Sequence, residues 1–318
     1  MTNIDATVVG AGVAGLTTAI SLAEAGLATN VITAAPPSAT TSVAAGAIWG
    51  PVRCGPLDRC HGWAKTGLDV LSALEGEPGA GVHPLSGREV SPVPATPPAW
   101  TGLLPSLRVL GPDDLPAGFA AGWQYTAPGV EMPVYLEYLL RRYEGLGGTV
   151  TAGTVTSLAD VPAPVVVNCT GIGARSLVPD EDLVPVRGQV VVVENPGIDE
   201  FYLDHRTGGT EYLYLFPHGD TVVLGGTAHE GAFDLAPRPE IARRILRDCA
   251  AVFPSLRGAR VIAQRVGLRP CRPEVRLEVE SLPDGRVLWH NYGHGGAGVT
   301  LAWGCAAELT AGLLAASR

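Results

Sequence analysis

A chain of 318 residues is long enough for a sizeable core and, at roughly 100 to 200 residues per domain, for two domains. Hydrophobic residues make up 46% and charged residues 17%, and no long polar or acidic tract interrupts the sequence, which excludes widespread disorder. The formal charge of −9 opposes a phosphate backbone or an anionic membrane surface, so nucleic acid is not an expected partner.

Ala6–Val9 is an apolar run that breaks at Gly10, and Val13–Ala25 carries small and apolar residues at helical spacing until Gly26. With a second apolar strand at Asn30–Thr33, the start of the chain predicts a βαβ unit, because parallel strands need such a crossover. From Ala34 to about Gly129 the sequence is dense in Pro, Gly and Ser, with one helix near Leu57–Leu74 and few strand signals, as for a segment wrapped over a surface or pocket. Pro133 opens a helix over Val134–Leu146, where Tyr135, Leu136, Leu139, Leu140 and Tyr143 form an apolar face ending at Gly147-Gly148. A strand follows at Val165–Val167.

Between Arg187 and Thr227 the pattern turns to β: Gln189–Val193, then Tyr212–Phe216 and Thr221–Leu224 joined by a hairpin signal at Pro217-His218-Gly219-Asp220. After a helix at about Pro239–Phe253, strands resume at Val261–Val266 and Val275–Val279. Asp284-Gly285 makes a turn, Val287–His290 a strand, and a glycine-rich loop leads into a small-residue helix from about Gly298. The end of the chain thus repeats the strand, loop and helix of its beginning. Uninterrupted apolar runs, such as Val165–Val167 and Val190–Val193, fall far below the ~18 residues of a membrane span. The first residues, Met1-Thr2-Asn3-Ile4-Asp5, lack a secretory n-region, and Ala316-Ser317-Arg318 differs from a peroxisomal address, so a cytoplasmic location is the expectation. Six scattered cysteines without a Cys-x-x-Cys pair read as free, mostly buried thiols.

Gly10-Ala11-Gly12-Val13-Ala14-Gly15 matches G-x-G-x-x-G between a predicted strand and helix. Gly10 permits the tight turn, Gly12 lets the backbone approach a pyrophosphate, and Gly15 allows helix to pack closely on strand. The motif does not separate FAD from NAD. The acidic residue expected at the end of the second strand, to hold a ribose, is replaced by Thr33-Ala34-Ala35-Pro36. No P-loop pattern occurs. His290 and His294 are four residues apart, but Asn291-Tyr292-Gly293 between them is not helical and lacks the Glu of a zinc-binding H-E-x-x-H.

The segment His290-Asn291-Tyr292-Gly293-His294-Gly295-Gly296-Ala297-Gly298-Val299-Thr300, with Trp303-Gly304-Cys305-Ala306, resembles the signature of the D-amino-acid oxidase family. Val43–Trp49, Asn168-Cys169-Thr170-Gly171, Arg187-Gly188-Gln189 and Gly267–Pro273 agree in order along essentially the whole chain. The resemblance implies an α/β fold, with a Rossmann-like FAD-binding domain (1–50, 145–190 and 285–318) and a second, mainly antiparallel β substrate-binding domain (51–144 and 191–284). It implies FAD as cofactor, a small D-amino acid and oxygen as partners, and a homodimer.

For the cofactor, it implies contacts from Gly10, Ala11, Gly12, Val13, Ala14, Gly15, Thr41, Ser42 and Gly46. Ala47 and Ile48 match the backbone beside flavin N5, Val155 a position at the adenine end, and Gly295, Gly296, Gly298, Val299 and Thr300 the flavin pyrimidine end. A helix N-terminus there favours the charge that develops at flavin N1 and the C2 oxygen on reduction. For the substrate, Arg269 is the implied carboxylate clamp, a planar fork of two parallel donors that also borders the flavin. Tyr214 joins it at the carboxylate, and the Gly296 carbonyl takes the amine. Strand alternation places Arg265 on the face of Arg269 and turns Arg272 and Arg276 away unless Pro270 introduces a bulge. Where the family often has a second tyrosine, Thr210 stands, with Tyr212 nearby; Arg53 and His218 are further candidates for the pocket.

The implied reaction is hydride transfer from the α-carbon of a neutral D-amino acid to flavin N5, giving a 2-oxo acid, ammonia and hydrogen peroxide, with positioning in place of a catalytic acid or base. D-aspartate oxidase and glycine or sarcosine oxidase are the neighbouring alternatives; an NAD-binding dehydrogenase and a flavin-binding protein without turnover are those from other classes.

Overall fold

The computed structural model describes residues 4–205 and 210–316. In chain order the elements are β1 (Ala6–Val9), α1 (Val13–Glu24), β2 (Thr29–Thr33), α2 (Leu57–Ala73), β3 (Val82–Ser91), β4 (Leu107–Val109), β5 (Ala121–Val130), α3 (Met132–Gly145), β6 (Thr149–Ala152), β7 (Val165–Asn168), α4 (Ala174–Leu177), β8 (Val184–Glu194), β9 (Phe201–Asp204), β10 (Glu211–His218), β11 (Thr221–Thr227), β12 (His229–Glu230), α5 (Pro239–Val252), β13 (Val261–Ser281), β14 (Val287–His294) and α6 (Gly298–Ala316).

Among the described residues these strands join one mixed sheet in the order β4-β5-β3-β9-β10-β11-β8-β13-β14-β7-β1-β2-β6, with β12 alongside β8. The end formed by β14, β7, β1, β2 and β6 is parallel throughout. Beyond it, β13, β8, β11, β10 and β9 pair antiparallel. Such a mixed α/β sheet is the fold class the sequence predicts.

Two expectations are corrected. The stretch from Ala34 to Gly129, read as poor in strands, holds the ten-residue strands β3 and β5, paired antiparallel from Val82↔Val130 to Ser91↔Ala121. Their signal is masked because Pro84 lies opposite Pro128 and glycines interrupt both runs, residues that sequence patterns assign to turns. Gly87 is there for space, since a side chain at this position would collide with Phe201 of β9. The second correction concerns Val261–Val266 and Val275–Val279, which are two ends of one 21-residue strand, β13. Its pairing with β8 runs to Cys271 and its regular pairing with β14 begins at Arg276, with the irregularity lying where Pro270 and Pro273 withhold N–H groups.

Helices cover the parallel region. Helix α6 packs against both α1 and α2, and α3 packs on α1. The resulting core joins Val8, Leu16, Ile20, Leu136, Leu301 and Leu309. A second core lies under α5, whose Ile241, Ile245 and Cys249 recur at helical spacing and meet Val191 and Leu215 of the antiparallel strands. By length and composition α6, with 19 residues, is apolar enough to cross a membrane, which a search for uninterrupted apolar runs passes over because Gly304, Glu308 and threonines divide it. It is mostly buried between α1 and α2, and that burial accounts for its apolar character.

Glycines permit this packing at specific points. A Cβ at Gly304 would run into the backbone of Trp63 in α2, whereas Gly62, on the outer side of α2, has open space around it. Gly304→Ala is therefore expected to destabilise by about 1–3 kcal/mol and lower the thermal midpoint by several degrees. Gly62→Ala should instead raise it, by up to about 1 kcal/mol of helix propensity. Paired thermal denaturation measures both; equal midpoints would refute the tight α2–α6 approach.

Candidate active site

The loop Gly10–Gly15 carries the chain from β1 into α1 at the carboxyl edge of the parallel strands, where ligands of open α/β sheets bind. Gly10 has a φ of +109°, and a Cβ there would lie 2.5 Å from the Cys169 carbonyl oxygen. A Cβ at Gly15 would collide with the carbonyl of Gly10, so helix and strand approach backbone to backbone. At Gly12 it would come within 3.1 Å of the Ser42 hydroxyl. Thr41 and Ser42 form a short turn over this loop, and the Val13 N–H donates to Ser42 Oγ at 3.0 Å. Gly12 at the N-cap has no side chain to offer and no acidic residue stands in the first turn of α1, so beyond the neutral Ser42 hydroxyl on Val13 N its positive end is uncompensated.

Helix α6 repeats this arrangement from the next strand but one. Gly295 has a φ of +55°, its N–H donates to the Pro270 carbonyl at 2.9 Å, and Gly298 opens the helix. Leu301 is the first to donate back into the last turn of the loop, at Ala297 O, which leaves the N–H groups of Gly298, Val299 and Thr300 to face outward. Again no acidic residue lies in the first turn. Beside this loop, His294 Nε2 is buried and lacks a hydrogen-bond partner.

The stretch Gly46–Gly50 is tied down on several sides. Trp49 N donates to Pro128 O of β5 at 2.8 Å and its indole to Ala64 O of α2 at 3.0 Å. The Thr300 hydroxyl both accepts from Gly50 N at 3.0 Å and donates to Gly50 O at 3.1 Å. That hydroxyl is thus committed to the protein, and only the backbone of Thr300 is left for a ligand. Ala47 is buried and Ile48 partly so.

Arg269, Tyr214 and Gly296 come together. On β13, Arg269 lies flat across β8, 2.5 Å from where a Cβ at Gly188 would stand, and donates through Nη1 to Thr227 O at 2.8 Å. Its Cδ is 3.9 Å from the corresponding position at Gly296. The Tyr214 ring covers Gly225 and Gly226 of β11, its hydroxyl 2.8 Å from the Cβ position of Gly226, and bonds with Arg269. Burial raises the Tyr214 phenol above its usual range while Arg269 opposes the shift, so the hydroxyl keeps its proton and can donate. Among the described residues no carboxylate pairs with Arg269. Arg272 and Arg276, by contrast, pair with Asp180 at 3.0 Å and with Glu278 at 2.5 Å, and Arg265 reaches the Val43 carbonyl at 3.4 Å.

Other predicted positions lie further out. Val155 follows β6 and packs with Ile32 and Val9, near the carboxyl ends of β1 and β2. The Thr33 hydroxyl donates to Ala35 O at 2.6 Å, and Ala34 is exposed. Arg53 donates to the Tyr212 hydroxyl at 2.8 Å. Thr210 holds Ala228 N at 2.7 Å through its carbonyl. His290 and His294 lie on β14, not on a helix. Sequence reasoning gave no role to Gly188, Gly225 or Gly226, although glycine inside a strand marks a close approach and would have flagged them. Nor did it assign Arg187 and Gln189, which are fully buried and bind the backbone at Asp234, Ala236 and Arg238, fastening that loop to β8.

Two helix ends without acidic neighbours on one sheet edge, with the small-residue run Ala44–Ala47 beside them, suit an elongated cofactor with a phosphate end and a ring end. The fold and site are those of a dinucleotide-dependent oxidoreductase. A family model described as DAO, FAD dependent oxidoreductase, matches residues 5–312, and the chain belongs to that family. It is 46% identical over 309 residues to a D-amino-acid oxidase of Rubrobacter xylanophilus, covering 96% of this chain and 94% of that protein. It is 48% identical over 303 residues to a D-amino-acid oxidase of Streptomyces coelicolor, covering 95% and 94%. A solved glycine oxidase from Geobacillus kaustophilus has the same fold, with a TM-score of 0.81 over 99% of this chain and 95% of that one at 19% identity. The cofactor is FAD, and the residues present fit it: the glycine cradle under α1, the free amides of α6 and the unpartnered His294 nitrogen all await a polar ligand.

Burial holds two rings of this region neutral, His218 and His294 each pushed down to about 4 from the usual 6.5. Between about 6.5 and 4 the unfolded chain binds protons on these rings that the folded chain does not, so they withdraw stability as pH falls through that window. The thermal midpoint of a His218→Gln, His294→Asn double variant is expected to depend less steeply on pH from 7 to 4 than that of the wild type. Parallel slopes would show that the rings are not buried as neutral groups.

Proposed function

We propose that this protein oxidises small neutral D-amino acids with FAD, yielding a 2-oxo acid, ammonia and hydrogen peroxide. The convergence of Arg269, Tyr214 and Gly296 at the glycine loop carries this reading, and the identity to D-amino-acid oxidases over nearly the whole chain supports it.

The bound FAD supplies a two-electron acceptor for the substrate α-carbon and passes the electrons to oxygen. The chain supplies position and charge. Arg269, without a carboxylate partner among the described residues, offers the substrate carboxylate a charge-assisted fork, and the protonated Tyr214 hydroxyl adds a third donor. The Gly296 carbonyl takes the substrate amine. Three fixed points define a hand: with carboxylate and amine held, only one enantiomer presents its α-hydrogen to the ring, and the other exchanges hydrogen for side chain. The amide ends of α6 favour the negative charge that accompanies reduction. This reading needs no protein acid or base: catalysis rests on orientation and electrostatics.

A purified preparation is expected to be yellow and to give peroxide faster with D- than with L-alanine; a colourless protein that takes up no FAD, or faster L-turnover, would refute the reading. Arg269→Ala should raise the KM for D-alanine roughly 100-fold or more, the cost of a few kcal/mol in charge-assisted bonds, while the flavin spectrum persists. Steady-state kinetics measures it, and an unchanged KM would move the carboxylate site elsewhere.

A further inference from the structure

Gly46 joins two pieces of the site: the turn Thr41–Ala44 over the α1 cradle, and the run Ala47–Gly50 fixed to β5, α2 and α6. One face of β10 converges on it. Tyr214, Phe216 and His218 alternate onto the same side of that strand. Tyr214 and Phe216 stack with ring centres 4.9 Å apart, and a methyl group at Gly46 would lie 2.7 Å from the Phe216 ring and 3.7 Å from Tyr214. His218, only 3% exposed, places Nε2 2.7 Å from the Gly46 carbonyl oxygen. Its Nδ1 lies 2.9 Å from Nε2 of His83 on β3.

The protonation pattern follows from the partners. A carbonyl only accepts, so His218 Nε2 carries the hydrogen; the ring is neutral, so Nδ1 accepts, and the hydrogen between the rings belongs to His83 Nε2. A directed chain, His83 to His218 to Gly46, thereby ends on a peptide whose Gly46 side has no Cβ to restrict rotation. The N–H of the same peptide, Ala47 N, reaches Val130 O at a long 3.4 Å, while Ala47 O accepts from Val130 N at 2.9 Å, so His218 is the short tie on the Gly46 carbonyl itself.

We infer that His218 is a positioning residue of the oxidation reaction: it fixes the Gly46 peptide, and so sets the 46–48 backbone in register with the strand face that carries Tyr214. The inference rests on the reading that 46–48 lie beside the flavin ring. Its consequence is that ring and substrate carboxylate are indexed to each other through one buried side chain. Loss of the donor frees the Gly46 peptide to turn, which changes the surroundings of the ring without touching the Arg269 clamp.

His218→Leu removes the donor, and His218→Gln returns an N–H of similar reach. In anaerobic stopped-flow with D-alanine, His218→Leu is expected to slow flavin reduction about 10-fold or more, with KM within about threefold of wild type. The absorption bands and reduction potential of the bound flavin should shift, and the 45–49 backbone of the FAD-free protein should exchange its amide hydrogens faster. His218→Gln should restore all of these. Wild-type behaviour of His218→Leu, or equal impairment of both variants, overturns the inference. Should His218→Leu not fold, His218→Asn, too short to reach Gly46, takes its place: slower reduction that His218→Gln restores supports the positioning role, and wild-type behaviour or equal impairment overturns it. Ala47→Val tests the ring's placement separately from the histidine. A flavin spectrum unmoved by it removes the placement of the ring beside 46–48, whereas a shift there with an inert His218→Leu removes only the role of His218.

Discussion

The close approach of α1 to the sheet is the constraint on which the rest of the structure depends. With no side chain at Gly10 or Gly15, the first turn of the helix rests directly on the backbone at Gly10 and Cys169. This seats the amide end of α1 at the carboxyl edge of β1, without an acidic neighbour in its first turn. Because β14, β7 and β1 run parallel, the strand–glycine–helix unit at the other end of the chain brings the start of α6 to the same edge. Glycines again set the distance, Gly67 against Thr300 and Gly304 against Trp63, so α2 and α6 nest at backbone separation. The FAD site proposed across these two helix ends rests on that packing, with few dedicated side chains.

The antiparallel half is joined to this cradle by β13. Its 21 residues pair with β8 at one end and with β14 at the other, so the strand that belongs to the substrate side runs into the one that delivers the glycine loop. Arg269 sits just before the changeover, and the Gly295 N–H bonds the Pro270 carbonyl one residue on. Arg269 is consequently placed by main-chain pairing, while Gly188, Gly225 and Gly226 supply the flat floor over which Arg269 and Tyr214 lie. Neighbouring arginines on the same strand are occupied: Arg272 and Arg276 neutralise Asp180, and Arg276 also donates to the Tyr292 hydroxyl, bracing the irregular part of β13. Although burial alone would raise the Asp180 carboxyl, its bonds to Tyr292 and Arg272 bring it below the usual range, which keeps the brace charged.

Much of this was legible in the amino-acid order. The βαβ start, the helices α2, α3, α5 and α6, and the hairpin of β10 and β11 follow from local periodicity and turn residues, and the glycine motif has its meaning because a strand precedes it and a helix follows. The family resemblance picked out Arg269 among four arginines that periodicity alone could not rank. Less was legible where proline and glycine serve sheet packing in place of turns, as in β3, β5 and the middle of β13, because a single sequence does not tell a backbone that bends from one that must leave room.

By itself, then, the sequence determined the fold class and the glycine turn under α1, since each rests on short-range rules, hydrophobic period and glycine between a strand and a helix; the choice of Arg269 rests on the family resemblance. Only the tertiary structure decided that Thr300 spends its hydroxyl on Gly50, that Tyr214 lies across Gly225 and Gly226, and that His83 reaches Gly46 through His218. These contacts join residues as many as 250 positions apart, and their geometry depends on how whole strands and helices stack. No local pattern encodes that distance, and the chain must fold before the groups can meet.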